Sequence, residues 1–265
     1  MNTLNDYYRS TVRSIGFLSR IPVADHFFDG THSTADDAGM YPVAGTIIAL
    51  PSALVIASAS FAPGAAWVLA TLAIGMLIAL TGALHEDGLA DVTDGFFATR
   101  EKERALDIMR DPTVGTFGSL ALIISVLTQV ASIVTLTDSL GAISTAFIFI
   151  GAAAGSRALM VIHWRGLENA RADGKAAAAG QPSQQTARLA VIVGAIVYVL
   201  FAMVFAKLWI AAAVAAGGAV LATFAFARLC RSRIGGHTGD TIGATQQLTV
   251  LTMLVILAIM LSVTT

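Results

Sequence analysis

The sequence predicts an all-α fold: a polytopic transmembrane helix bundle of about seven spans, with cytoplasmic loops that hold the reactive residues and an interfacial helix at the N-terminus. Three observations carry this. The 265 residues are 56% hydrophobic and only 12% charged, and the mean hydropathy is +0.76, far more apolar than a soluble domain of this size. Apolar runs of roughly 20 residues, the length that crosses hydrocarbon, recur along the chain. The basic residues fall almost wholly in segments that successive spans bring to one side.

The N-terminal stretch MNTLNDYYRSTVRSIGFLSRIP has no continuous apolar core and no small-residue cleavage site, so it does not read as a signal peptide. It reads as an amphipathic helix along the membrane surface, ended by Pro22. Residues 23–39 read as a polar loop. Spans follow near 40–62, 65–84, 116–136, 141–161, 188–206, 208–227 and 247–264. The tight pairs 40–84 and 188–227 also fit a long hairpin or a partial span. Ala-rich stretches near 65–70, 152–158 and 211–218 suit close helix packing in a membrane. Residues 176–183 read as a flexible loop. No repeat or long linker divides the chain, so 1–265 is expected to be one domain.

With this count, segments 1–39, 85–115, 162–187 and 228–246 share a side and hold most of the Lys and Arg. Arg157 and Arg188 are read at span ends facing that side, and Lys207 alone lies opposite. The positive-inside rule makes that side cytoplasmic. The net charge of -1, with no basic run or aromatic platform, gives no reason to expect nucleic acid. The single Cys230 excludes an intrachain disulfide and a thiolate metal site.

Four polar constellations lie on the charged side. In 85–95, HEDGLADVTDG, a helix would put Asp87, Asp91 and Asp94 at i, i+4 and i+7 on one face. Three like charges there repel unless a cation sits among them, and hard oxygen ligands suit Mg²⁺. A solvated, helix-capping acidic loop is the plainer alternative. Glu86 points off that face as a solvated neighbour, and His85 reads as a cap for the preceding span. In 100–118, Arg100, Arg104, Asp107 and Asp111 follow i, i+4 spacing on an amphipathic helix stopped by Pro112. Arg110 beside Gly115 and Thr116 suits phosphate, since arginine grips it bidentately and glycine admits backbone N–H groups to an anion. Arg157 either snorkels or, facing the bundle, neutralises a diphosphate. In 235–244, GGHTGDTIGA, glycines including Gly239 surround Asp240 just before a span, a close-approach site for a ligand or else a plain turn. His237 reads as a loop residue. Together these groups point to metal-dependent chemistry on a diphosphate at the membrane face.

HEDGLADVTDG resembles the H-x-D-G-L-A-D-x-x-D-G signature of the cobalamin synthase family, the adenosylcobinamide-GDP ribazoletransferases. FLSRIP at 17–22, YPVAG at 41–45, 98–118, Ser156-Arg157 and 235–244 continue the resemblance in order over nearly the whole chain. The resemblance implies an Mg²⁺-dependent integral membrane enzyme of the inner membrane. It would join adenosylcobinamide-GDP to α-ribazole or its 5′-phosphate and release GMP. It further implies that Asp87, Asp91 and Asp94 bind Mg²⁺, that Arg100, Arg110, Arg157, Gly115, Thr116 and Gly239 serve the phosphates, and that Asp240 and Arg110 act in the chemistry. A lipid bilayer is the expected surrounding; self-association and contact with other late cobamide-synthesis enzymes are expected from the resemblance alone. The chain departs from the family pattern at Gln246, Gln247 and Val250, where many relatives carry acidic residues, and at Glu86, a position often apolar.

Two other readings use the same residues. A membrane prenyltransferase or CDP-alcohol phosphotransferase also places Asp clusters and Mg²⁺ at the membrane face, though the latter's spacing of Arg and paired Asp is absent. A transporter would need ionisable residues near span centres and an internal repeat, and here the charge sits in loops.

Overall fold

The computed structural model describes residues 4–28, 30, 32–171, 178–205 and 209–262, with 63 and 203–205 described by backbone alone. Lys175, Lys207 and positions 176–177 of the expected flexible loop lie outside the described residues. The elements in order are α1 Leu4–Leu18, α2 Thr34–Asp37, α3 Tyr41–Ala57, α4 Ala66–Thr81, α5 Leu84–Ala98, α6 Lys102–Ile108, α7 Thr116–Leu140, α8 Ala142–Gly166, α9 Gln184–Tyr198, α10 Trp209–Ile234 and α11 Gly239–Ser262. A π-helical segment, Val199–Phe205, continues α9.

Among the described residues, six helical stretches are long and apolar enough to cross a membrane, and the pair α4 and α5, bent by 89°, brings the count to seven if taken as one broken span. We take α4, the more apolar member, as the crossing part, with α5 turned away from it at the bundle end. α8 is the most enclosed helix; Ala152, Ala153, Ala154 and Ala158 lie buried along it. Small side chains there let neighbours approach, and a Cβ at Gly194 of α9 would stand 2.5 Å from the Ala158 Cβ. The outward stripe of α7, Leu120, Ile123, Ile124 and Leu127, is exposed, at the i, i+3, i+4, i+7 spacing of one helix face. Lipid is the medium such a surface suits.

The bend between α4 and α5 has a local cause. Gly82 and Ala83 are both left-handed, with φ of 63° and 57°. They close α4 through Gly82 N–H to Ala79 O at 3.2 Å and Ala83 N–H to Ile78 O at 2.9 Å. Gly82 is required twice over, because a Cβ there would also lie 2.2 Å from the Arg20 Nε. Asp87 N–H then reaches Ala83 O at 2.8 Å and starts α5.

Several expectations need correction. α1 stops at Leu18, before Pro22, where the Ser19 hydroxyl takes Ile15 O at 2.6 Å. Its buried face carries Ser10, Arg13 and Ser14, while Leu4, Tyr8 and Phe17 are exposed. The 23–39 segment contains α2 and is not simply a polar loop. Its Asp37 is buried, accepting from Arg13 Nε and Nη2 at 2.7 Å each. α6 is too short to carry the expected four-residue charge spacing: Arg100 precedes it and Asp111 follows it. It ends before Pro112, and Asp111 instead accepts from Thr113 N–H at 2.9 Å. Arg157 lies inside α8, not at its end, because the helix runs on to Gly166. α11 begins at Gly239, so the glycine-rich motif supplies its first turns rather than a long loop.

The Arg13–Asp37 pair is buried on both sides, so removing one partner strands the other charge in an apolar setting. Asp37→Ala is therefore expected to lower the stability of the detergent-solubilised protein by about 3–5 kcal/mol, read as a drop in melting temperature. A melting curve that matches the parent would show the pair is not holding α1 to α2.

Candidate functional site

The charged segments meet at one end of the bundle. The Arg171 Nη2 donates to Leu106 O at 2.6 Å, joining the segment after α8 to α6. Arg233, at the end of α10, donates to Phe96 O and Thr99 O and so grips the end of α5. His237 N–H to Glu168 O and Ala170 N–H to His237 O, each 2.8 Å, pair the two loops that follow α8 and α10.

Two helices supply the acidic residues. Asp87, Asp91 and Asp94 share a face of α5 as their spacing predicts, with Asp87 exposed, Asp91 half-buried and Asp94 buried. Asp240 sits on the first turn of α11, half-buried. Glycine makes the approach of these helices feasible: a Cβ at Gly88 would meet Asp240 O at 2.6 Å, and one at Gly243 would meet Leu84 O at 3.3 Å. Burial, then the charges of Asp240, Asp87 and Asp94, push the Asp91 carboxyl up to about 7, with Arg171 opposing. Carboxylates that disfavour joint ionisation are a charge arrangement that a bound cation would relieve.

Asp94 is engaged in its own way. It accepts Gly115 N–H at 2.7 Å and Gly118 N–H at 2.9 Å, so it caps the start of α7. Gly115 and Gly118 have to be glycine for this, since a Cβ would stand 2.6 Å and 2.4 Å from the Asp94 oxygens. The anion that the Gly115 N–H meets is thus a carboxylate of the chain itself. Thr116 opens α7 beside it and is exposed, as are Arg100, Arg110 and Gly239.

Arg157 and Glu86 are interior residues. Arg157 is fully buried, and Gly45 of α3 makes room for it, since a Cβ there would lie 2.1 Å from its Cδ. Its Nη1 donates to Ala153 O at 3.0 Å, while Nε and Nη2 lack a hydrogen-bond partner among the described residues. Glu86, expected to be solvated, is buried and accepts from the Gln247 Nε2 at 2.9 Å. Gln247 in turn contacts Gln246 at 3.1 Å and Gln129 at 3.2 Å, and Gln246 donates to the Ser156 hydroxyl at 3.2 Å. Gln246 and Gln247 therefore tie α5, α7, α8 and α11 together. His85 is buried, and its Nε2 has no hydrogen-bond partner among the described residues; Gly82 and Ala83 cap the preceding helix in its place. His237, read as a loop residue, is also buried, and burial lowers its imidazole to about 4.

Arg171 and Thr238 belong to the site and were missed by sequence reasoning. Arg171 was visible only as one more basic residue of a cytoplasmic loop. Thr238 donates its hydroxyl to Asp240 Oδ2 at 3.1 Å, and the only signal for it was its place as the residue before a helix start.

Among the described residues no set of three or more carboxylate, imidazole or thiolate ligands is gathered into a cage for a metal ion. The open arrangement nonetheless fits Mg²⁺, which is usually held by one or two carboxylates and completed by water and substrate phosphates. Asp87, Asp91 and Asp240 are the carboxylates in reach of such a role. A cavity of about 370 Å³ lies elsewhere, beside α1, lined by Arg13, Phe17, Asp37 and Tyr41 among others and by none of these acids.

A model of the family described as cobalamin-5-phosphate synthase matches residues 10–258. The adenosylcobinamide-GDP ribazoletransferase of Allorhizobium ampelinum is 45% identical over 263 residues, covering 98% of this chain and 100% of that protein. Those of Sinorhizobium medicae and Brucella anthropi are 39% and 40% identical, over 98% and 92% of this chain and 99% and 94% of theirs. No solved structure matches the chain.

The raised Asp91 carboxyl sets a pH dependence. Its native value of about 7 exceeds the roughly 3.9 of an unfolded aspartate, so the native state holds the extra proton between these values. Without a cation, this group's contribution to stability is full below the lower value and is lost as pH rises through the upper one. A bound divalent ion cancels the repulsion but must displace the proton below about pH 7. Mg²⁺ is expected to raise the melting temperature more at pH 8 than at pH 6. An equal shift at both would show that Asp91 does not meet the ion.

Proposed function

The chain belongs to the cobalamin-5-phosphate synthase family, and we propose that it transfers the cobinamide-phosphate moiety of adenosylcobinamide-GDP to α-ribazole or α-ribazole 5′-phosphate. The products are GMP and adenosylcobalamin or its 5′-phosphate. The observation that carries this reading is the meeting of Asp87 and Asp91 of α5 with Asp240 of α11 at one charged end of the bundle, in a chain similar throughout to relatives that bear that name.

In the proposed step a ribose hydroxyl of the ribazole attacks the phosphorus nearest cobinamide. The bridging P–O bond to GMP breaks, and the hydroxyl proton passes to a base. Asp240 would take that proton or complete the cation site. Asp87 and Asp91 would hold Mg²⁺, with Asp94 tying the same helix face to the start of α7. Bound there, Mg²⁺ supplies charge neutralisation to the phosphate oxygens and the departing GMP. Arg100 and Arg110, exposed on either side of α6, would reach the phosphates as bidentate donors. Thr116 and Gly239 lie at helix starts, where the dipole favours an anion. Gly115 serves by admitting Asp94, and Arg157 acts from the interior as the counter-charge to Glu86 rather than as a direct phosphate ligand. By the positive-inside rule this end would face the cytoplasm, with the inner membrane as the bilayer that the family resemblance implies. Self-association and contact with other late cobamide-synthesis enzymes extend the same reading.

The purified full chain in detergent, given adenosylcobinamide-GDP, α-ribazole and Mg²⁺, is expected to release GMP and form cobamide in equal amounts. Asp87→Asn with Asp91→Asn is expected to lower turnover by on the order of 10²-fold or more. Normal Mg²⁺-dependent turnover in that variant would remove the metal assignment. Absence of both products from folded protein would overturn the transfer itself.

A further inference from the structure

Asp240 does not stand alone on the first turn of α11. Thr238 caps that helix: its hydroxyl oxygen accepts Thr241 N–H at 3.3 Å and gives its proton to Asp240 Oδ2 at 3.1 Å. Thr241 returns the contact, since its hydroxyl oxygen accepts Thr238 N–H at 2.9 Å and donates to Thr238 O at 3.0 Å. These two bonds use the one proton and one of the two lone pairs of the Thr241 hydroxyl. The remaining lone pair faces His163 Nε2 of α8 at 3.2 Å. His163 Nε2 fills that lone pair as the donor, which leaves Nδ1 a bare nitrogen rather than an N–H with no hydrogen-bond partner among the described residues. The ring is held flat against Phe226 of α10, centroids 5.4 Å apart and planes at 23°. His163, Thr238 and Thr241 are 1%, 3% and 0% exposed, so water does not compete for these bonds.

We propose that His163 and Thr241 are positioning residues for Asp240: a hydrogen-bond chain from His163 Nε2–H through Thr241 and Thr238 fixes the direction of the Asp240 carboxylate. A carboxylate on an open first turn has several staggered orientations. The Thr238 hydroxyl selects one of them, and Thr241, held by His163, keeps Thr238 in place. The proposal rests on the transfer reading only for its activity arm, because the proton location is a property of the chain itself.

The test uses the full chain in detergent, labelled with ¹⁵N-histidine, with the His163 signals assigned by their loss in His163→Gln. The expected result is a neutral ring protonated at Nε2, whose Nε2 signal moves in Thr241→Val; a ring protonated at Nδ1 would overturn the proposal. For turnover, His163→Phe keeps the ring and its contact with Phe226 but removes the donor. It is expected to lower kcat about tenfold, the worth of one buried hydrogen bond, with KM for adenosylcobinamide-GDP unchanged. His163→Gln, which restores an N–H, is expected to recover most of the loss. Parent-like kcat in His163→Phe, measured beside an active parent, would overturn the proposal. If His163→Phe fails to fold, Thr241→Ser and Thr241→Val make the same comparison: serine should keep turnover and valine should lower it, and equal turnover would overturn the proposal. An inactive parent would count against the transfer reading and leave the ¹⁵N result to decide the positioning role.

Discussion

The close approach of α5 and α11 is the constraint on which the site depends. Gly88 lets α5 come so near the first turn of α11 that any side chain there would strike Asp240 O, 2.6 Å from the position of a Cβ. That approach brings carboxylates from two separate parts of the sequence to one place, and burial together with repulsion among them raises Asp91 to about 7. Other features serve the same junction. The left-handed Gly82 and Ala83 turn α5 away from α4, Asp94 ties the same face of α5 to the start of α7, and Thr238 orients Asp240.

Beneath the junction the interior is polar where an apolar bundle would be cheaper to build. Glu86, Gln129, Gln246, Gln247 and Ser156 form a connected network among four helices. Partly satisfied buried networks are costly, and here Arg157 Nε and Nη2, Glu86 Oε2 and His85 Nε2 have no hydrogen-bond partner among the described residues. A network that fixes how α5 sits against α8 and α11 carries that cost for a reason: the junction above it tolerates little displacement.

Much of the fold was legible in the sequence. Apolar runs near the length of a bilayer crossing, bounded by charged segments, gave the spans because hydrocarbon permits few alternatives to a helix. The α5 face was legible too, since i, i+4, i+7 spacing has one geometric meaning on a helix. The rest was hidden for physical reasons. Ala83 adopts a left-handed conformation that its side chain does not advertise. Gly239 looked like loop because glycine serves turns and close helix contacts alike. Arg157 and Glu86 looked peripheral because charged residues in such chains usually reach for water, whereas here each is enclosed. Which anion would occupy the Gly115 amide was equally beyond sequence: Asp94, twenty-one positions earlier, takes it.

A divalent-cation site formed by Asp87, Asp91 and Asp240 would stand in contact with the substrate's phosphates. Electron–nuclear double resonance on the full chain loaded with Mn²⁺ in place of Mg²⁺, with adenosylcobinamide-GDP present, tests it most directly. The expected result is a single bound Mn²⁺ showing ³¹P coupling, with the bound ion lost in Asp91→Asn. Mn²⁺ bound with undiminished ³¹P coupling in Asp91→Asn, or no bound Mn²⁺ in the parent, would contradict it.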